Sequence, residues 1–213
     1  MKGETNKWYL LPGMGANSSM YDLLRAELQF EIKFINWPKY NGKKTYTAMA
    51  RRVIEENGIK DDDIVGGSSL GGMIALEIAR QKRLAAVVLI GSAISTAEVQ
   101  GILTLLAPVA AITPILLVQL LAGKHNNIIA RMFADADSQF IKAMCQHLPQ
   151  WPGAKDLEVP FFRIHGQKDH VISCPKVGAE IISNAGHLIA ITHARECGEF
   201  LNKINRQLTS SSS

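Results

Sequence analysis

"DIVGGSSLGGMIAL", residues 63–76, sets two serines side by side among four glycines. The lead "DIV" reads as the end of a strand and "GGMIALEIARQ" (71–81) as a helix, so the serines fall in the turn between them. A side chain raised at the top of a strand just before a helix needs a very tight turn. The residues two before and two after it crowd each other, and both must be small. One register of G-x-S-x-G meets that demand: Gly67-Ser68-Ser69-Leu70-Gly71, with Ser69 at the apex. Ser68 would need a small residue at Leu70 and fails. The helix start also presents free N–H groups near the serine, where negative charge is stabilised. A Walker phosphate loop needs a lysine before Ser or Thr, and none occurs here. A purely structural glycine turn fits the motif equally well, so the rest of the chain must decide.

Outward from this turn, short apolar segments alternate with helical patterns, as in an α/β fold with a mainly parallel sheet flanked by helices. The strand candidates are "WYLL" (8–11), "IKFINW" (32–37), "DIVGG" (63–67), "AAVVLIG" (85–91), "PFFRIHG" (160–166) and "AEIIS" (179–183). "TYTAMARRVIEENG" (45–58) places Tyr46, Met49, Ala50, Val53 and Ile54 on one helical face and stops at Gly58. "ECGEFLNKINRQL" (196–208) repeats the pattern at Cys197, Phe200, Leu201, Ile204 and Leu208, a docked C-terminal helix. At 213 residues the chain has room for one domain, 1–213. Residues 93–158 break the alternation and read as a helical cap or lid insert. Within it, "ILTLLAPVAAITPILLVQLLA" (102–122) carries no charge.

A serine hydroxyl is a poor nucleophile without a base to take its proton and an acid to orient that base. Downstream of Ser69, "FFRIHGQKDHVI" runs from a strand into a loop bearing Asp169. "AEIISNAGHLIAITH" then runs from a strand into Gly186-His187, ahead of the last helix. Both residues follow strand C-termini, the sheet edge where Ser69 also sits and where open α/β sheets place their sites. Of the six histidines, His125 and His147 lie in the insert, His165 lies inside a strand as a packing residue, and His170 adjoins the acid in a loop. His187 is the favoured base, and His193, at the start of the final helix, stands as the alternative.

"WYLLPGMGANSSMYDLL" (8–24) supplies a second strand, glycine turn and helix entry. Backbone N–H groups of Met14 and Leu70 are the candidates to converge on a developing oxyanion. A rival reading is a Rossmann-type nucleotide-binding protein, since "GMGANS" (13–18) nearly matches G-x-G-x-x-G. It has Ser18 where Gly or Ala belongs, and the next strand ends in Asn36-Trp37 instead of an acid for a ribose hydroxyl.

Composition narrows the partners. Lys and Arg number 23 against 19 Asp and Glu, a net charge of +4, without a basic run interleaved with aromatics, which argues against nucleic acid. The start "MKGETNKWYLL" has no signal-peptide pattern, and three scattered cysteines (Cys145, Cys174, Cys197) read as reduced thiols; both point to the cytoplasm. The closing "TSSSS" reads as a disordered tail or as a non-native addition. The run 102–122 has the length of a bilayer span, but Pro108 and Pro114 would break such a helix and a span between two strands of one sheet is awkward. It reads instead as a lid facing the site, with peripheral membrane contact through its apolar surface left open.

With these parts in chain order, the sequence resembles an α/β-hydrolase-fold serine hydrolase, an esterase-like, compact member with a cap insert. The likeness runs from "LLPGMGANSSMYDLL" through "GGSSLGGMIALEIA" and "IHGQKDHVI" to "NAGHLIAITHA". It implies nucleophile Ser69, acid Asp169, base His187, oxyanion amides from Met14 and Leu70, elbow glycines Gly67 and Gly71, and neither cofactor nor metal. It implies a small-molecule acyl substrate, with an ester first and thioester, lactone, amide or C–C cleavage behind it. Dehalogenases and epoxide hydrolases of this fold place a carboxylate where Ser69 stands. A non-catalytic relative using the pocket as a small-molecule receptor is the other alternative. Three departures stand out. Pro12-Gly13 replaces the family's frequent His-Gly, the first two strands of the usual sheet are missing, and only 17 residues separate Asp169 from His187. So short a connection predicts a loop there in place of a crossover helix.

Overall fold

The computed structural model describes residues 6–99 and 136–210. Six strands form one sheet: β1 (Trp8–Leu11), β2 (Lys33–Phe34), β3 (Ile64–Ser68), β4 (Ala86–Ile90), β5 (Phe161–Gly166) and β6 (Glu180–Ile182). Their order is β2-β1-β3-β4-β5-β6, and every neighbouring pair is parallel. A parallel sheet is covered on both faces, so its strands read as unbroken apolar runs. β1 and β4 are accordingly buried at every position.

Among the described residues the α-helices are α1 (Asp22–Arg25), α2 (Tyr46–Asn57), α3 (Leu70–Ala79), α4 (Ser138–His147), α5 (Ile189–Thr192) and α6 (Ala194–Ser210). α2 buries Tyr46, Met49, Ala50 and Val53, begins where Thr45 Oγ1 accepts from the Ala48 amide at 3.1 Å, and ends at Gly58 with φ 67°. It packs on α3, which is buried from Leu70 to Ile78 between α2 and the sheet. α1, α5 and α6 pack on one another as a separate group, and α6 buries the predicted Cys197, Phe200, Leu201 and Ile204, with Leu208 half-buried against the core.

The strand order decides against the dinucleotide-binding reading. In that fold the first strand lies between the second and the fourth, whereas here β1 lies between β2 and β3. The chain passes from β1 to β2 on one side and from β3 to β4 on the other, so the strand order reverses between β1 and β3. Ligands bind open α/β sheets at such a switch point.

Two sequence expectations change in detail. The strand expected over 32–37 is only Lys33–Phe34. Ile35 still donates to Leu10 O at 3.1 Å, but Asn36 and Trp37 turn out of the sheet to bond the loop after β1. In the insert, the described parts are a 3₁₀ turn (Thr96–Glu98), α4 and a second 3₁₀ turn (Leu148–Gln150). The charge-free run 102–122 and His125 lie outside the described residues. The insert's first turn is tied to β5 by Arg163, whose guanidinium meets Glu98 at 2.7 and 3.1 Å. The connection from β5 to β6 carries no helix, as the short spacing predicts. Among the described residues no helix is long and apolar enough to cross a membrane.

Candidate active site

The glycines around Ser69 answer a packing problem. A Cβ on Gly67 would lie 2.5 Å from the Gly71 carbonyl carbon, and one on Gly71 would strike Leu11 O and lie 2.5 Å from Pro12 O. The elbow therefore fits only because two backbones touch where side chains would stand. Ser69 itself has φ 53° and ψ −121°, a left-handed value rare for a non-glycine residue. Such strain persists only where its surroundings over-determine it, and it clusters at functional sites. Here the Ser69 amide donates to Ile90 O at 3.2 Å, and its carbonyl accepts from Ser92 Oγ at 2.7 Å and from the Gly72 amide at 3.1 Å. Ser68, by contrast, ends β3 and is 2% exposed.

Three of the predicted residues meet in one hydrogen-bonded chain. His187 Nε2 lies 3.0 Å from Ser69 Oγ, and His187 Nδ1 lies 2.7 Å from Asp169 Oδ2. With the ring proton assigned to Nδ1, that nitrogen donates to the carboxylate and Nε2 is free to accept from the serine hydroxyl. The other carboxylate oxygen, Oδ1, accepts from the amides of Val171 (2.8 Å) and Ile172 (3.0 Å). Burial alone would raise the Asp169 pKa, but hydrogen bonds from His165 and His187, the His187 charge and the Ile172 amide outweigh it and hold the carboxyl well below the usual carboxylate range.

The other histidines separate cleanly. His193 Nδ1 pairs with Thr192 Oγ1 at 2.8 Å, His170 is exposed, and His147 packs its ring 5.1 Å from that of Tyr46. His165 is fully buried, as a packing residue should be, yet its Nε2 sits 3.1 Å from both Ile172 O and Asp169 Oδ2. Its Nδ1 is buried without a hydrogen-bond partner, which assigns the proton to Nε2. Asp169 thus has an imidazole on two sides, one facing Ser69 and one sealed in the core.

The loop after β1 reaches the same place. A Cβ on Gly13 would lie 3.8 Å from Ser69 Cβ. Gly13–Ala16 is a β-turn closed by the Ala16 amide on Gly13 O at 3.1 Å, with Gly15 at φ 71°, the left-handed value that favours glycine at a turn's third position. Among the described residues neither the Met14 nor the Leu70 amide donates to a protein acceptor. Beneath the loop, the fully buried Tyr21 hydroxyl donates to Leu11 O at 2.6 Å and accepts from the Ser68 amide at 3.0 Å, joining the ends of β1 and β3. Burial pushes its pKa up, so it stays protonated.

The sequence profile of the alpha/beta hydrolase family matches residues 9–199. The chain belongs to that family. Among solved structures, this hydrolase is similar to a thermophilic esterase from Thermogutta terrifontis (TM-score 0.71, 18% identity, 97% of this chain and 91% of that one). It is similar to a lipase-esterase related protein from Clostridium acetobutylicum (TM-score 0.75, 14% identity, 95% and 96%). A mutant of the N-acyl homoserine lactonase AidH, complexed with N-hexanoyl homoserine lactone, is a third likeness (TM-score 0.75, 16% identity, 98% and 93%). At these identities the likeness is one of fold. No curated protein is similar enough to match.

Sequence reasoning passed over several groups that shape this hydrolase's site: Tyr21, Trp37, Ser92 and the acid-side contact of His165. The "Asn36-Trp37" end of the second strand was visible only as a missing acid. Among the described residues no group of three or more His, Cys, Asp or Glu is set to hold a metal ion. All three cysteines are unpaired; Cys145 and Cys197 are buried, and burial pushes the Cys145 thiol up to about 11.

Proposed function

We propose that this hydrolase is a serine esterase that cleaves a small, largely apolar carboxylic ester through an acyl-enzyme. The observation that carries the reading is the chain Ser69 Oγ–His187 Nε2, His187 Nδ1–Asp169 Oδ2, at 3.0 and 2.7 Å, built on a strained Ser69 backbone. Ser69 Oγ attacks the ester carbon while its proton passes to His187 Nε2, and the ionised Asp169 stabilises the imidazolium that forms. The carbonyl oxygen, now an oxyanion, takes hydrogen bonds from the Met14 and Leu70 amides. Collapse breaks the C–O bond, and His187 returns its proton to the leaving alcohol. Water then attacks the acyl-enzyme and loses its proton to His187, and as the acyl–Oγ bond breaks His187 returns that proton to Ser69 Oγ, releasing the acid and free Ser69.

Substrate polarity follows from what packs on the loop beside Ser69. Trp37 packs 5.2 Å from the Phe140 ring, Tyr40 lies 6.3 Å from it, and Cys145 Sγ touches Met14 Sδ at 3.6 Å. α4 thus brings apolar groups from the return of the insert onto the loop after β1. The charge-free sequence 102–122 belongs to the same insert, which we assign as an apolar cap, 93–158.

The test is a series of 4-nitrophenyl esters of increasing acyl length. Each added methylene should raise kcat/KM by up to several-fold, since a buried CH₂ is worth about 0.8 kcal/mol, until the pocket is full. Ser69→Ala should lower turnover by roughly 10³–10⁶-fold. A chain-length-independent rate, or turnover surviving Ser69→Ala, contradicts the proposal; ligand binding without turnover would mark a receptor instead.

A further inference from the structure

We infer that Trp37 is a positioning residue for catalysis: its indole N–H holds the Gly13 carbonyl and thereby aims the Met14 amide at the oxyanion. The inference rests on the assignment of the Met14 amide as an oxyanion donor. Trp37 Nε1 donates to Gly13 O at 2.9 Å, and the Ala16 amide donates to the same oxygen at 3.1 Å. The Gly13 carbonyl and the Met14 N–H belong to one planar peptide unit, and among the described residues no peptide bond is cis. In a trans peptide the C=O and N–H point in opposite directions. Pinning the carbonyl therefore fixes where the Met14 N–H points.

The pin is needed because of what the loop lacks. Gly13 has no Cβ to resist rotation of the 13–14 peptide, and a Cβ there would meet nothing closer than 3.8 Å. The turn's own hydrogen bond from Ala16 is a weak restraint, since a substantial share of β-turns do without theirs. Trp37 adds a donor from outside the loop. Its own position is held by the Phe140 ring and by the adjacent Asn36, whose Oδ1 accepts from the Ser18 amide at 2.7 Å. Residues 36 and 37 therefore grip the loop at both ends. Pro38 follows, which favours extended backbone at Trp37. An indole nitrogen is a donor only, so this contact has one polarity and cannot be reversed.

Packing and pinning can be separated, because Trp37→Phe keeps an aromatic ring against Phe140 and removes only the donor. Loss of a direct oxyanion donor costs about 10²–10³ in kcat, and loosening one should cost less, roughly 10-fold. The readouts are kcat and KM for a 4-nitrophenyl ester, the acid limb of the pH–rate profile, and the Ki of an alkyl trifluoromethyl ketone. In that adduct Ser69 Oγ adds to the ketone carbon, its proton passes to His187, and the ketone oxygen becomes the oxyanion. The expected result is a kcat about 10-fold lower, KM within about 2-fold, Ki raised by the same factor as kcat/KM falls, and an unchanged acid limb. An unchanged kcat, a rise in KM alone, or an unchanged Ki overturns the inference and leaves Trp37 a packing residue. Should Trp37→Phe fold poorly, the same measurements are read on the protein carrying 3-benzothienylalanine at position 37, an isostere of Trp without the N–H. Failure of the underlying esterase reading shows separately, as wild-type protein without Ser69-dependent turnover.

Discussion

Two loops meet at the C-terminal edge of the sheet, and the side chains that set them come from different distances along the chain. In the loop after β5 the acid is set by its own turn, where Asp169 Oδ1 accepts from the amides of Val171 and Ile172, two and three residues on, at 2.8 and 3.0 Å, while Lys168 and Ser173 tie the backbone to Ala185 O and Glu98 O. The loop after β1 is held from outside, by Trp37 on Gly13 O, Asn36 on the Ser18 amide, Met20 Sδ under the Gly13 amide and Tyr21 on Leu11 O. An aspartate that caps its own turn is a local device, the same in any chain that carries it. A loop gripped by side chains from elsewhere takes its shape only once the sheet has formed. The first kind of loop can be placed from its own residues; the second cannot.

The comparison breaks most visibly at the loop after β5. Asp169→Asn keeps an oxygen for the Val171 and Ile172 amides but loses the charge that orients His187. By analogy with the same change in other Ser-His-Asp enzymes, kcat should fall by about 10⁴ with the loop intact. The same variant has a pH signature. The Asp169 pKa is depressed in the folded state, so its ionised form stabilises the fold above the unfolded carboxylate value, about 3.9, and that stability is lost as pH falls through the folded value. Urea unfolding should therefore show wild type and Asp169→Asn furthest apart near neutral pH and converging as the solution is acidified. A gap that widens in acid would contradict the role given to the charge.

A smaller effect is expected at the loop held from outside. Tyr21→Phe leaves the Ser68 amide and Leu11 carbonyl without their buried partner, which costs about 1–3 kcal/mol of stability. Thermal unfolding should register that loss while turnover falls by less than about 10-fold, because β1 and β3 still pair directly through Leu11 and Gly67. A turnover loss as large as that of Asp169→Asn would mean the two loops are not held independently.

The same contrast explains what the sequence disclosed. The elbow was legible because its steric demand is local: Gly67 and Gly71 are fixed by their distance from Ser69 along the chain. The meeting of Asp169 and His187 beside Ser69 was legible because each follows a strand end, and strand ends share one edge in a parallel sheet. His165 was half legible. Its place in β5 announced burial, but contact with the acid four residues later depends on how the intervening turn folds back. Trp37 and Tyr21 carried no local sign of their partners, which lie 24 and 10 residues upstream. The second strand was overextended for the same reason, since Asn36 and Trp37 look like strand residues until the loop they serve is in view.

The most direct test of the central claim, that Ser69 is the nucleophile served by His187, is fluorophosphonate labelling followed by peptide mapping. Phosphonylation forms the P–O bond to the attacking serine, expels fluoride, and needs the same base as ester cleavage. The adduct should map to Ser69, persist in Ser68→Ala and His193→Ala, and be lost in Ser69→Ala and nearly lost in His187→Ala. An adduct on Ser68, or labelling that survives His187→Ala and disappears in His193→Ala, would contradict the account.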